Sequence, residues 1–187
     1  IRFGWQKLKT KKPIGHFVRA FSSVACVVFY FFGLKFLLLS ENQAIVHMAP
    51  IIATILAIPI LGEKLGLHRI SAVVLGFIGV LIIVKPGSGL FKIESLLPLI
   101  AATFMACSYL ATRFLMSTES SIAIVFYYSF ALLITALIFF PSNFVIPSFY
   151  DLIPLMSLGV MGSLGHYFLA LAAKNAEVMV ITPFEYT

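Results

Sequence analysis

The fold is decided by residues 42–86, which read NQAIVHMAPIIATILAIPILGEKLGLHRISAVVLGFIGVLIIVKP. The stretch contains two apolar segments, Gln43–Leu61 and Ile70–Val84, joined by a short charged turn. The first segment has one ionisable residue, His47, and the second has none. Each approaches the ~20 apolar residues that cross ~30 Å of hydrocarbon. Neither has the wide polar face of a water-soluble helix, so we predict a transmembrane helical hairpin.

The composition of the whole chain indicates the same environment. Hydrophobic residues make up 61% and charged residues 11% of the 187 residues, and the mean hydropathy is +1.07. A soluble domain has about 25% charged residues. The apolar runs are long and do not alternate with polar residues, which favours helices over the strands of a membrane barrel. The net charge of +6 does not indicate a nucleic-acid-binding protein, because the basic residues lie at span ends rather than on one soluble face.

Seven spans with polar connections account for the chain. They are predicted at residues 20–39, 42–61, 70–84, 96–116, 121–140 and 152–173, with a seventh that begins at Val178. Residues 1–19 are polar and basic and are predicted to form a loop. Because the chain begins with Ile1 and ends inside an apolar segment, we expect it to be a fragment that lacks sequence at both ends.

The distribution of basic residues predicts the orientation. Loops on the side of the N-terminal segment contain ten Lys and Arg residues, and loops on the other side contain only Lys85 and Lys92. The ten are Arg2, Lys7, Lys9, Lys11, Lys12, Arg19, Lys64, Arg69, Arg113 and Lys174. By the positive-inside rule, the N-terminal segment is cytoplasmic. We therefore predict a multi-pass protein of the plasma (inner) membrane.

An internal repeat is visible in two of the spans. Asn42 precedes Pro50 by eight residues, as Asn175 precedes Pro183, and the two copies lie 133 residues apart. The copies fall in the second and seventh spans. These are five spans apart, so they cross the membrane in opposite directions. We predict an inverted repeat of five-helix units, an arrangement typical of secondary transporters.

These motifs resemble those of EamA-type transporters in the drug/metabolite transporter superfamily. They are LGEK at 61–64, GFIGV at 76–80 leading to KP at 85–86, and TPFEYT at 182–187. The resemblance implies two inverted five-helix repeats with both termini cytoplasmic, of which this chain holds about spans three to nine of ten. Residues 1–90 would end the first repeat and residues 91–187 would form the second, truncated before its last helix. It also implies alternating-access transport of small organic metabolites.

Polar residues inside the predicted spans are candidates for a substrate cavity, because an ionisable group costs ~2.5–3.5 kcal/mol or more at the centre of a membrane helix. The candidates are Lys35, His47, Tyr128, His166, Glu185 and Tyr186. Each of the first four has a structural alternative. Lys35 can extend to the interface instead, the two histidines can pack through hydrogen bonds, and Tyr128 can be an interfacial aromatic. Glu185 either lines the cavity, for a cationic substrate or for protons, or pairs with a residue of another span.

Other residues are candidates for movement and packing. Pro50 and Pro183 are predicted helix breaks or hinges, because proline removes a backbone hydrogen bond. Glu63 and Arg69 form either a structural turn or a cytoplasmic gate. We expect the series Gly159, Gly162 and Gly165 to form a helix-packing face.

No enzyme site is recognisable in the sequence. It has no GxxxxGK[ST] phosphate loop, and its four histidines lack the helical spacing of metal ligands. Cys26 and Cys107 are expected to be packing residues. We predict a secondary transporter coupled to protons or to exchange, whose partners are a metabolite and the bilayer. We predict no catalytic residue, metal, cofactor, nucleic acid or ATP. A monomer is expected, although the oligomeric state is left open. The alternatives are a structural or assembly subunit and a membrane-embedded lipid enzyme.

Overall fold

Helices account for the regular structure of the described residues. The computed structural model describes residues 10–62, 71, 74–79, 82, 93–139 and 147–175. The helices are α1 (Pro13–Gly33), α2 (Leu39–Val46), α3 (Ala49–Leu61), α4 (Leu96–Met116), α5 (Ser121–Phe139) and α6 (Phe149–Asn175). A short 3-10 helix, Ile93–Ser95, precedes α4, and residues 74–79 are also helical.

Five segments among these residues are long and apolar enough to cross a membrane. They are Pro13–Gly33, Leu39–Leu61, Ile93–Met116, Ser121–Ile138 and Phe149–Asn175. The predicted polytopic helical membrane fold is therefore confirmed. The predicted third span lies largely outside the described residues, and the seventh lies entirely outside them. The inverted repeat and the division at residue 90 stay predictions.

The first helix begins earlier than the sequence indicated. α1 starts at Pro13, whereas the span was predicted from residue 20, and it ends at Gly33. Proline is well suited to the first turn of a helix because its missing N–H is not needed there. The prediction of a loop up to Arg19 is therefore wrong for residues 13–19. The prediction that Lys35 interrupts a span is also wrong, because Lys35 lies in the turn after α1.

The central pair of the fold is α1 packed antiparallel against α4. Arg19 contacts Thr112 and Ser23 contacts Ser108, through hydrogen bonds of 2.7 and 2.8 Å. Further along, the rings of Phe29 and Phe104 stack with centroids 5.9 Å apart. As the number rises along α1 it falls along α4, so the N-terminus of α1 meets the C-terminal end of α4.

A row of alanines lets α3 approach α4 closely. Ala49, Ala53 and Ala57 recur every four residues and so lie on one face of α3. They pack in one buried cluster with Ala102 and Ala106 of α4. Association of membrane helices relies on close packing, which small side chains permit.

The second predicted span is interrupted in its first third. α2 ends at Val46 and α3 begins at Ala49, with His47 and Met48 in a turn between them. Pro50 lies in the first turn of α3, where its ring and missing N–H prevent the helix from continuing unbroken from α2. The backbone angles at His47 and Met48 stay in the right-handed helical region, and the His47 N–H still donates to the Gln43 carbonyl at 3.0 Å, so the break is a local irregularity between two helices.

The glycine series of α6 packs against none of the described residues. A Cβ atom added at Gly159, Gly162 or Gly165 would meet nothing within 4 Å. The only buried residues of α6 are Ala170 and Ala173, near its C-terminus. The predicted packing face thus has no partner in the part of the chain that the structure describes.

Candidate functional site: a polar cavity within the helix bundle

A cavity of about 680 Å³ lies where α1, the α2–α3 break, α4, α5 and α6 come together. A volume of this order suits a small organic molecule. Polar side chains contribute to its wall from every one of these elements: Ser23, Gln43, His47, Ser108, Tyr128 and His166. Polar groups facing a common space inside a membrane bundle typically mark a substrate pathway.

Three of the predicted cavity residues meet at this cavity. His47, Tyr128 and His166 all line it, and so does Pro50. Lys35 does not, because it is exposed in the turn after α1, where its Nζ lies 4.7 Å from the centre of the Phe32 ring.

Five of the predicted functional residues lie outside the described residues. They are Glu63, Arg69, Pro183, Glu185 and Tyr186.

Tyr128 is the residue around which one wall of the cavity is built. Its ring lies 4.5 Å from the His166 ring, centroid to centroid, in an edge-to-face arrangement. The guanidinium carbon of Arg19 also lies 4.8 Å from the Tyr128 ring centre. Aromatic pairs of this geometry and cations over aromatic faces are both attractive. Tyr128 therefore connects a buried positive charge in α1 to a cavity-facing imidazole in α6.

Arg19 is the functional residue that sequence reasoning missed. It lies about 9 Å into α1 and is 3% exposed, although the sequence prediction counted it among loop residues. Its Nε–H donates to Thr112 Oγ1 at 2.7 Å and its Nη1–H donates to the Ile124 carbonyl at 2.9 Å. A charge buried in a membrane bundle is costly unless it is paired or has a function. Among the described residues, no carboxylate lies within ion-pair distance of Arg19.

A pattern in α1 could have revealed this residue. The buried residues of α1 include His16, Arg19 and Ser23, which are spaced by three and four positions. This is the period of one helix face. In a water-soluble helix the polar face points outward, whereas here it points inward and the apolar face is exposed. Reading residues 13–33 with that inverted rule would have placed Arg19 inside the bundle.

Hydrogen bonds fix the wall around Arg19. The Ser23 hydroxyl donates to the Arg19 carbonyl at 2.8 Å and also lies 2.8 Å from the Ser108 hydroxyl. The Thr112 hydroxyl, which accepts from Arg19, donates to the Ser108 carbonyl at 2.8 Å. Each polar group is thus held by a neighbour on α1 or α4, and the guanidinium has a defined position.

A second polar series enters the cavity from the α2–α3 break. The Tyr30 hydroxyl donates to Gln43 Oε1 at 2.9 Å, and Gln43 Nε2 lies 3.4 Å from His47 Nε2. Gln43 and His47 line the cavity, as Tyr128 does. The cavity therefore presents two imidazoles, one from α6 and one from the break.

One end of the bundle is closed by Glu119, in the turn between α4 and α5. Its Oε1 accepts from the backbone N–H groups of Lys11 and Lys12, at 2.7 and 3.1 Å, and from the Thr10 hydroxyl. Its Oε2 lies 3.8 Å from His16 Nε2. Burial alone would raise the pKa of Glu119, but these donors and the neighbouring His16 imidazole outweigh it and lower the pKa. Glu119 is thus an anion that holds the N-terminus of α1.

The same end gathers basic residues from several connections. Arg113 near the end of α4 donates to the carbonyl of Ala173 near the end of α6. Lys12 lies beside α4, with its Nζ 3.9 Å from the centre of the Phe114 ring. Lys12 and Arg113, which the sequence assigned to one membrane side, therefore both contact helix ends at this end of the bundle. Within the part of the chain that the structure describes, no group of three or more His, Cys, Asp or Glu could bind a metal.

Comparison with known proteins gives one family match. Residues 2–85 match the model of the EamA-like transporter family. No solved structure matches the chain. The matched residues include α1, α2 and α3, and hence one side of the cavity.

Several curated relatives align with nearly the whole chain. The S-adenosylmethionine uptake transporter of Rickettsia prowazekii is 26% identical over 189 residues, which cover 100% of this chain and 63% of the relative. The riboflavin transporter of Vibrio cholerae is 31% identical over 185 residues, covering 97% and 61%. The pseudopaline exporter of Pseudomonas aeruginosa is 26% identical over 171 residues, covering 89% and 60%. The chain therefore spans somewhat less than two thirds of the length of these relatives.

Proposed function

Because the chain belongs to the EamA-like transporter family, we propose that it forms part of a transporter that moves small organic metabolites across a membrane. The resemblance found in the sequence is thereby confirmed, and the relatives named above are transporters rather than enzymes. The observation that carries the proposal is the cavity of about 680 Å³ lined by polar side chains from five helical segments. Transport needs such a site within the bundle, between the two membrane faces.

We propose that the cavity is the substrate site and that His47, Tyr128 and His166 contact the substrate. Glu185 and Tyr186 are proposed as further lining residues, on the basis of their position inside an apolar segment. Pro50 and Pro183 are proposed hinges at corresponding places of an inverted repeat. Glu63 and Arg69 are proposed to form a turn or gate at the cytoplasmic side.

The orientation proposed here follows the basic residues. The end of the bundle that holds Lys12, Arg113 and Lys174 would face the cytoplasm of a plasma or inner membrane. The support is that Lys12 and Arg113 both contact the C-terminal ends of membrane helices, at one end of the bundle.

The test of the proposed function is flux through the full-length protein in proteoliposomes. Radiolabelled S-adenosylmethionine and riboflavin, with a panel of amino acids and nucleosides, would be measured with and without an imposed pH gradient. A saturable flux of at least one compound, absent from protein-free liposomes, is the expected result. Equal flux with and without protein for every compound would contradict the proposal.

Replacement of Glu185 tests the proposed lining residues. We expect Glu185→Gln to lower the flux at least tenfold, or to remove its dependence on the pH gradient, because glutamine cannot gain or lose a proton. The control is Lys35→Gln, which removes a charge outside the cavity and should leave the flux unchanged. If Glu185→Gln had the flux and the pH dependence of wild type, Glu185 would be excluded from the mechanism.

A further inference from the structure

We propose that the cavity binds its substrate through a carboxylate, which is stabilised by the positive charge of Arg19 next to the Tyr128 ring. This inference deepens the proposed function and rests on it, because it names the chemical class of the substrate at the same cavity. It concerns Arg19, which does not itself line the cavity and acts on the bound group as a positioning charge.

The first step is the charge itself. Arg19 is buried, and its guanidinium donates hydrogen bonds to two neutral acceptors, the Thr112 hydroxyl and the Ile124 carbonyl. The guanidinium keeps its charge under all ordinary conditions. In the part of the chain that the structure describes, the site therefore carries one net positive charge. An anionic ligand would supply the missing counter-charge.

The second step is the direction in which that charge acts. Arg19 bonds to α4 and α5, and its Cζ lies 4.8 Å from the centre of the Tyr128 ring, which lines the cavity. The His166 ring, which also lines the cavity, lies 4.5 Å from the Tyr128 ring, centroid to centroid. Charges act over longer distances in a low-dielectric interior than in water. An anion at Tyr128 and His166 therefore experiences the field of Arg19.

The third step is the set of direct donors at this wall. The Tyr128 hydroxyl and an imidazole N–H of His166 both belong to the cavity lining. A carboxylate has two oxygens that accept several hydrogen bonds. One unit of negative charge also matches the single positive charge of Arg19, whereas a phosphate dianion would leave an unpaired negative charge in a low-dielectric site. The chemistry therefore favours a carboxylate over a phosphate ester.

The experiment compares acids with their amides, which differ little in shape but differ in charge. Competition would be measured in full-length wild type against any tracer with saturable flux. The competitors would be L-methionine and L-methioninamide, L-phenylalanine and L-phenylalaninamide, and a phosphate monoester. Hydrogen bonds to charged groups contribute more to binding than those to neutral groups. Of the two amino acids, the stronger competitor should therefore compete at least about tenfold more strongly than its own amide.

Variants of Arg19 identify the source of that preference. Arg19→Gln should reduce the acid-over-amide ratio about tenfold or more while amides still compete, and Arg19→Lys should restore part of the ratio. A merely structural role would weaken both competitors equally. The matched control is Arg113→Gln, which removes a half-buried arginine near the end of α4 that contacts the Ala173 carbonyl and should leave the ratio unchanged.

Three outcomes would overturn the inference. They are a saturable flux with no acid competing better than its amide, a phosphate monoester that competes better than the acids, and an acid-over-amide ratio in Arg19→Gln equal to that of wild type. A fourth outcome would also overturn it. If adding Glu185→Gln to Arg19→Gln restored the flux, and neither wild type nor the double variant preferred acids, Arg19 would pair with Glu185 instead.

A binding measurement separates failure of this inference from failure of the proposed function. Thermal stabilisation of the purified full-length protein by acids and by amides needs no transport. Preferential stabilisation by acids that disappears in Arg19→Gln would support the carboxylate site even if no flux is found. Absence of flux would then contradict transport alone.

Discussion

Gly33 shows how one missing side chain determines a local arrangement. A Cβ atom at this position would clash with Oδ1 of Asn42 and lie 3.3 Å from the Pro98 Cδ. Asn42 is fully buried, and its Nδ2 donates to the Tyr30 carbonyl at 3.3 Å. The side chain of Asn42 therefore occupies the space that glycine leaves at the end of α1, and it ties α2 to α1.

Substitution of this glycine should destabilise the protein. We expect Gly33→Ala to lower the free energy of unfolding by about 1–3 kcal/mol, the usual cost of overpacking, despite the higher helix propensity of alanine. The control is Gly159→Ala in α6, where an added Cβ meets nothing within 4 Å. Thermal unfolding of both variants in detergent would measure the difference. A melting temperature of Gly33→Ala equal to that of Gly159→Ala would contradict this account.

Glu119 makes the N-terminal end of α1 sensitive to acid. Its pKa is lower in the folded protein than the ordinary 4.5, so folding favours the ionised form. The stabilisation is fully present above pH 4.5 and is lost as the pH falls through the lowered folded value. We expect thermal stability to decline in that acidic range in wild type and to decline less in Glu119→Gln, which should already be less stable at pH 7.

The control for Glu119 is another carboxylate in a turn. Asp151 accepts a hydrogen bond from the nearby Ser148 N–H at 3.1 Å, and it does not join separate helices. Asp151→Asn should therefore retain the acid dependence of wild type. If Glu119→Gln retained that dependence too, another group would be responsible for it.

At the level of elements, the break between α2 and α3 is the clearest candidate for movement. Pro50→Ala gives residue 50 a backbone N–H and permits one continuous helix from Leu39 to Leu61. We expect this variant to keep or raise its melting temperature, because alanine favours helix, while its turnover falls. Pro59→Ala is the matched control, since Pro59 is exposed near the end of the same helix. The measurements are the initial transport rate and the melting temperature of both variants. Unchanged turnover in Pro50→Ala would exclude a hinge at this position.

The helices were predictable where local sequence alone defines them. α4 was predicted at its observed bounds, and α5 differs by one residue at its end. Both are uniformly apolar segments between polar turns, which is the strongest signal for a membrane helix. α1 was misplaced because its first third is polar, and that polarity is buried only by contacts with α4 and α5. Such contacts depend on distant parts of the chain.

The candidate site was predictable in part for the same reason. His47, Tyr128 and His166 are isolated polar residues in apolar surroundings, so they attract attention in the sequence. Arg19 is surrounded by other basic residues in the sequence and only the structure separates it from them. Ser23, Gln43 and Ser108 are small or neutral, and their role follows from their positions around one cavity rather than from their chemistry.

At the scale of the whole molecule, the bundle has two different ends. Glu119 and Arg113 tie together α1, α4, α5 and α6 at the end that carries the basic residues. The opposite end contains the 34–38 turn and the start of α6. We expect bundle opening to begin at this opposite end, because the hydrogen bonds between its described elements, Tyr30–Gln43 and Asn42–Tyr30, join neutral groups.

The length of α6 has a consequence for the bilayer around the protein. Its 27 residues measure ~40 Å, and the apolar part within them ~33 Å, slightly more than the ~30 Å of an average hydrocarbon layer. Phe149 and Tyr150, 75% and 84% exposed, are suited to anchor its first turn among the lipid headgroups. In a thinner bilayer the helix must tilt to match the hydrophobic thickness. Because α6 carries His166, the acyl-chain length of the lipid would set the position of one wall of the cavity.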